Sequence, residues 1–366
     1  MRKKWIWIAC ASVAVVMISV ALGVLIYHIS HKHKLGDAKV YHIYNDHITY
    51  TRQCVKDKHT QSFTTDKTFA EIIANLSGND KIVVEEDISK AEVFRITPTL
   101  SQTESAGNDI EINIDLNNKK IRSMFELNAT YGNIKFNISN GIIDSTSANA
   151  IKISGQTDKV EVNISNVECY STGYKNAALY VEYVNAVEVN ASNSKFISKN
   201  DGSIYDMYGV GVFINNKGNF RFENCILEGG DGIHVRQGTV SLKGCDLINS
   251  GLIARDYQSV SSGFNAVGAS LAAHCYTSAA GTTKFEITVE NCAMVTNNSN
   301  RVIYVYKTAQ AGYGENENIN SYIDIVSCKF DENPEAFGNP DIIEYVNGGN
   351  PVNDGQGYWV YGNVNK

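Results

Sequence analysis

Proline is nearly absent from this chain, at four of 366 residues, and charged side chains make up only 19%. The first scarcity excludes proline-rich linkers and polyproline recognition segments. The second, set beside 43% hydrophobic residues, excludes a disordered chain. Also missing are CxxC and HExxH spacings, a GxSxG nucleophile turn, a glycine-rich phosphate loop and the calcium-binding nonapeptide repeat. What is present is a body rich in Gly, Asn, Ile and Val, which points to an all-β fold.

Basic runs are lacking beyond residue 34. Five of the 32 Lys/Arg and none of the 39 Asp/Glu fall in residues 1–34, which leaves 27 against 39, a net charge of −12, on the remainder. Such a surface repels nucleic acid and other polyanions, so no nucleic-acid partner is expected.

Between Arg2-Lys3-Lys4 and the polar HISHKHK, residues Trp5 to Tyr27 carry no charge. At about 1.5 Å per helical residue this stretch can cross a hydrocarbon core of roughly 30 Å, and Trp5, Trp7 and Tyr27 sit where interfacial aromatics belong. Residues 1–34 therefore read as a cytoplasmic flank and a single transmembrane signal anchor, with residues 5–27 in the lipid bilayer and the C-terminal domain outside the cell membrane. Ser19-Val20-Ala21 offers a signal-peptidase alternative, although apolar residues continue past it. Residues 35–64 show no clear periodicity and read as a juxtamembrane stalk, leaving 65–366 as the main domain. At its start Phe69, Ile72, Ile73 and Leu76 share one helical face, with Thr65 or Asp66 as cap and Gly78 as stop, and this predicts an N-terminal capping helix.

One pattern recurs eight times between residues 112 and 330: apolar, x, apolar, x, turn residue, then an apolar residue three later. The turn column is Asn118, Asn140, Asn166, Asn193, Asn224, Gly244, Asn291 and Ser327. Two residues earlier stand Leu116, Ile138, Ile164, Ala191, Phe222, Leu242, Val289 and Ile325, and three residues after the turn run Ile121, Ile143, Cys169, Phe196, Leu227, Leu247, Met294 and Phe330. Residues between them alternate to polar, as half-buried strands require. Turn-to-turn spacings range from 20 to 47 residues, so the rung is constant and the loops vary. Second strands such as AALYVEYV, VGVFIN, GIHVR and NAVGASL follow in most rungs.

This arrangement resembles the pectate-lyase-like right-handed parallel β-helix superfamily, over roughly residues 66–348, with an Asn ladder along one turn. The resemblance implies a solenoid with stacked identical side chains, and it carries no activity by itself.

Four of eight cysteines, Cys225, Cys245, Cys292 and Cys328, directly follow the turn residue. The repeat thus predicts a reduced, stacked column rather than disulfides or a metal site. Asn75, Asn128, Asn137, Asn163, Asn190 and Asn297 begin N-x-S/T sequons, three of them in one outward strand column. These read as by-products of the repeat.

The stretch GGDGIHVRQG, residues 229–238, lies in the shortest rung. With Ile233 and Val235 inward, His234 and Arg236 face out together beside Asp231. The same outward face is expected to carry Tyr180, Glu182, Phe213, Asn215, Gly268, Ser270 and Tyr304. Flanking loops bring Tyr205, Asp206 and Tyr208 on one side and Asp256 and Tyr257 on the other. In the resembling families the sugar cleft lies on this strand and these loops, which implies a glycan-binding, adhesin-like surface module. The alternative is a polysaccharide lyase or glycoside hydrolase, with Asp231 or Asp206 as acid or base, His234 assisting, Arg236 holding a carboxylate or oxyanion, and Ca²⁺ only for a lyase. The paired aspartates of polygalacturonase-like hydrolases and the pectin-esterase motifs are missing. No resident cofactor or metal is expected.

Overall fold

The computed structural model describes residues 35–96, 109–200, 209–251, 266–296, 301–309 and 321–330, with short breaks inside the first two stretches. It also describes residues 18–20 and 22, and three short strands between 346 and 361. All eight aligned turn residues adopt a left-handed backbone, with φ between 49° and 60°. A Cβ makes that conformation cost roughly 1–2 kcal/mol, which glycine avoids and the short Asn amide offsets by bonding locally. The turn therefore selects Asn or Gly, and Ser327 in the last copy is the exception.

Strands on either side of these turns stack into parallel faces. The first face runs through 81–83, 110–115, 133–139, 159–165, 187–192, 218–223, 238–243, 285–290 and 322–326. Across the turn, the second face stacks 119–121, 141–144, 167–172, 195–199, 226–229, 246–249 and 293–295. The third stacks 123–127, 151–153, 177–182, 210–215, 231–237, 269–277 and 301–309. The fold is an all-β solenoid of three parallel faces around one hydrophobic core.

Register confirms the repeat from its second copy onward. Ile138, Ile164, Ala191, Phe222, Leu242, Val289 and Ile325 pair in unbroken succession and are all buried. The first copy departs by two residues: Ile114, not Leu116, faces Ile138, because Leu116-Asn117-Asn118 forms a bulge. Leu116 then folds over Gly141, where a Cβ would lie 2.4 Å from that of Leu116.

The hydrogen-bonded amide ladder is not the turn column alone. Asn166 donates to Asn140 Oδ1 at 3.3 Å, but a longer chain runs along the outside of the first face. Asn190 donates to Asn163 at 3.1 Å, Asn163 to Asn137 at 2.8 Å and Asn137 to Asn113 at 2.7 Å. Arg221 Nη1 donates to Asn190 Oδ1 at 3.3 Å. The sequon asparagines 137, 163 and 190 are thus ladder members.

Cys225, Cys245, Cys292 and Cys328 are buried free thiols, as are Cys54, Cys169 and Cys275. Each of the four turn thiols donates to the carbonyl two residues back, at 3.3–3.5 Å. Ser194 holds the same position one rung earlier and bonds the Ser192 carbonyl at 2.8 Å. Burial pushes the Cys169 thiol well above its usual range.

The N-terminal end differs from expectation. Residues assigned to a stalk form an antiparallel meander of β1 (Leu35–Ile43), β2 (Ile48–Cys54) and β3 (Thr60–Thr65). β1 then pairs parallel with β4 (Lys81–Val84), adding a strand to the first face. The sequence concealed this because the meander is only half-buried: Tyr41 and Ile43 enter the core while Thr49, Thr51, Ser62 and Thr64 stay outside it. Where a capping helix is predicted, the described residues form the short α1 (Phe69–Ile73), capped by Thr68, not by Thr65 or Asp66. Thr68 and Glu71 bond each other's main chain reciprocally. Among the described residues no helix is long and apolar enough to cross a membrane. Most of the expected anchor at 5–27 lies outside the described residues; Ile18, Val20 and Leu22 are helical and exposed.

Candidate functional site

Strand 231–243 joins the third face to the first without a loop, and its alternation fixes what points where. Ile233 and Val235 enter the core, while His234 lies on the outer side and Asp231 at the strand's start. Neither polar residue reaches solvent: both are 0% exposed. His234 Nδ1 is 2.9 Å from Asp231 Oδ2. The carboxylate also accepts the amides of Val267, Gly268 and Ala269 at 2.7–3.1 Å, so it pins the entry to the next rung's third-face strand.

Tyr180, Phe213 and His234 fall in register on successive rungs. The Tyr180 and Phe213 rings stack at 5.2 Å, and His234 meets Phe213 edge-on at 5.5 Å. Phe213 is 1% exposed and forms a small second core with Ala177 and Val210 outside the coil. The Tyr180 hydroxyl and Asn215 Nδ2 both donate to Glu182, the latter at 2.8 Å.

On the next rung the register differs from expectation. Ala272, not Gly268, faces His234, and Tyr304 faces Ala272. The strand is ASLAAHCYTS, four residues later than NAVGASL suggested, because Gly268 (φ 81°) lies in the bend held by Asp231. This shift brings in His274 and Tyr276, which the sequence reading missed. Their alternation with Leu271, Ala273 and Cys275 in LAAHCY was the available signal.

His274 Nδ1 accepts from Arg236 Nε at 3.0 Å, so its ring proton belongs on Nε2. Arg236 lies 5.3 Å from the Phe213 ring centre and 5.9 Å from that of Tyr276. Burial pushes the His234 imidazole below its ordinary range, against the opposing pull of Asp231. Burial and then the Arg236 charge push His274 far down. Both rings are neutral, and His234 donates its Nδ1 proton to the carboxylate.

The structure thus unites Asp231, His234, Arg236, Phe213, Tyr180, Glu182 and Asn215, and continues the column to a half-buried Tyr304. Asp206, Tyr205, Tyr208, Asp256 and Tyr257 lie outside the described residues. Among the described residues no cluster of three or more His, Cys, Asp or Glu is arranged to hold a metal ion. An enclosed carboxylate saturated by three amides and an imidazole is suited to fixing a bend, whereas the half-buried Tyr180, Asn215, Arg236, Tyr276 and Tyr304 offer aromatic and hydrogen-bonding groups at the surface. Comparison with known families, curated proteins and solved structures found no match.

Proposed function

We propose that this chain is a membrane-anchored, right-handed parallel β-helix of pectate-lyase-like architecture, displayed outside the cell membrane as a non-catalytic glycan-binding module. The observation that carries the reading is a division within one strip. Asp231 and His234, the groups best suited to acid–base work, are sealed and engaged, as are Phe213 and Ala272 beside them, while Tyr180 and Tyr304 at the two ends of the column, and Asn215 and Arg236 next to it, stay half-buried. Tyr180 and Tyr304 are four rungs apart, roughly 19 Å at about 4.8 Å per rung. Two tyrosines at that separation suit the ends of an extended chain of sugar rings lying along the solenoid axis, with ring faces on Tyr180 and Tyr304 and hydroxyls on Asn215 and Arg236 between them. The acidic body disfavours polyanionic glycans, so neutral polymers are the favoured class. The uncharged stretch 5–27 and the exposed apolar Ile18, Val20 and Leu22 support the anchor.

The test is a glycan array probed with detergent-solubilised full chain, with sugar-release assays alongside. Binding that weakens at least several-fold in Tyr180→Ala and Tyr304→Ala, without product release, supports the proposal. No binding to any glycan, or turnover abolished by Asp231→Asn, overturns it.

A further inference from the structure

The outermost strand of the N-terminal meander, β3, is bonded on one side only. β2 lies between β1 and β3, and among the described residues β3 has no other neighbour. Cys54 N donates to the His59 carbonyl at 2.7 Å. Antiparallel pairs alternate between bonded and non-bonded, so Gln61, Phe63 and Thr65 turn their main-chain groups toward β2. Thr60, Ser62 and Thr64 turn theirs away from β2, where no strand pairs with them among the described residues.

Natural sheets protect such edges with Lys, Pro, bulges or a covering loop. The strand TQSFTT has no charge, no proline and regular register with β2. Thr60, Gln61, Ser62 and Thr64 are exposed. Exposed charges stand just beyond the two ends, Lys58 in the turn before the strand and Asp66 followed by Lys67 after it.

We propose that β3 pairs edge to edge and antiparallel with β3 of a second copy of this chain, with the two-fold axis at Ser62. Symmetry and bonding parity together select this register. Outward-facing residues must meet outward-facing residues, and only the pairing that sets Ser62 against itself and Thr60 against the second copy's Thr64 engages all three. The same register brings the second copy's Asp66 to the end of β3 where Lys58 sits in the β2–β3 turn (φ 62°), once at each end. That is charge complementarity the strand supplies to itself and to no arbitrary partner. On the inner face, Tyr41, Tyr50 and Phe63 form a row with ring spacings of 5.7 Å and 5.1 Å. Pairing places Phe63 diagonal to the second copy's Phe63, within reach of an aromatic contact, so the row runs unbroken through the junction.

The register is testable by cross-linking. Bonded antiparallel partners have Cα atoms about 5.5 Å apart, within disulfide range. Full chain carrying Ser62→Cys, in detergent under mild oxidation, should form a covalent dimer, while Thr64→Cys should not, because its counterpart is Thr60. Sedimentation of the unmodified chain should show a dimer. Ser62→Pro should leave a folded monomer, since the amide it removes is unused within one copy. Lys58→Asp and Asp66→Lys should each weaken dimerisation by roughly tenfold, and the double exchange should restore it. A monomeric chain, equal cross-linking of both cysteine variants, or a double exchange no tighter than the single ones would overturn the proposal. The charge exchange keeps the test decisive if Ser62→Pro fails to fold.

Discussion

His234 Nδ1 lies 2.9 Å from Asp231 Oδ2, and both side chains are wholly enclosed. Because Asp231 also binds three consecutive amides at 267–269, removing it leaves buried N–H groups without acceptors. Asp231→Ala should cost about 3 kcal/mol, with Asp231→Asn costing less because one acceptor oxygen survives. Urea denaturation of both variants checks this; an unchanged midpoint in Asp231→Ala would contradict the role of Asp231 in holding the 267–269 bend.

Stability should fall on acidification from near pH 6.5 downward. Burial holds His234 and His274 below their ordinary range in the folded state, with Asp231 opposing this for His234 and Arg236 reinforcing it for both. Below the unfolded value of about 6.5 the unfolded chain binds more protons, so stability is complete above that pH and declines beneath it. Each neutral imidazole contributes up to about 1.4 kcal/mol per pH unit. His274→Gln should flatten this limb, read as melting temperature against pH; an identical slope would argue against a buried neutral His274.

The left-handed turns predict opposite signs for two substitutions. Ser327, at φ 54°, should be stabilised by about 1 kcal/mol as Ser327→Gly. Asn166, at φ 55°, should lose about 1–2 kcal/mol as Asn166→Leu. Thermal melts of the pair, compared with a surface control, provide the check.

The outward amide ladder should respond more mildly. Asn163→Ala breaks bonds of 2.8 Å and 3.1 Å, but water reaches the freed groups, so a loss of about 1 kcal/mol is expected. The Nδ2 atoms of Asn137, Asn163 and Asn190 are committed to the preceding rung. Expression through a glycosylating secretory pathway should therefore leave these three sequons unmodified in the folded product, as peptide mass mapping would show.

The solenoid was legible in the sequence because its turn demands a left-handed residue and its core demands period two, and both demands repeat. Asn140 to Ser327 and Ile138 to Ile325 align in sequence and in space for that reason. The first copy misled because the bulge at Asn117 and Asn118 offers two left-handed asparagines where one is usual. The meander was invisible because it pairs once, with no repeat to average over. The shared side of His234 and Arg236 followed from strand alternation and Asp231 was expected at its edge, but the enclosure of Asp231 and His234 did not follow, since burial depends on what covers the outer face. His274 was lost to a four-residue frame error set by the Gly268 bend.

The chain of asparagines on the first face has a direction: every Nδ2 points to the preceding rung and every Oδ1 to the following one. Side-chain amides aligned head to tail add their dipoles along the axis, as peptide groups do in an α-helix. The oxygen end of this column is electronegative, and there the guanidinium of Arg221 donates to Asn190. Arg221 therefore acts as a cation capping the negative pole of a macrodipole built from side chains, giving the solenoid an electrical polarity that its flat, parallel faces alone would not supply.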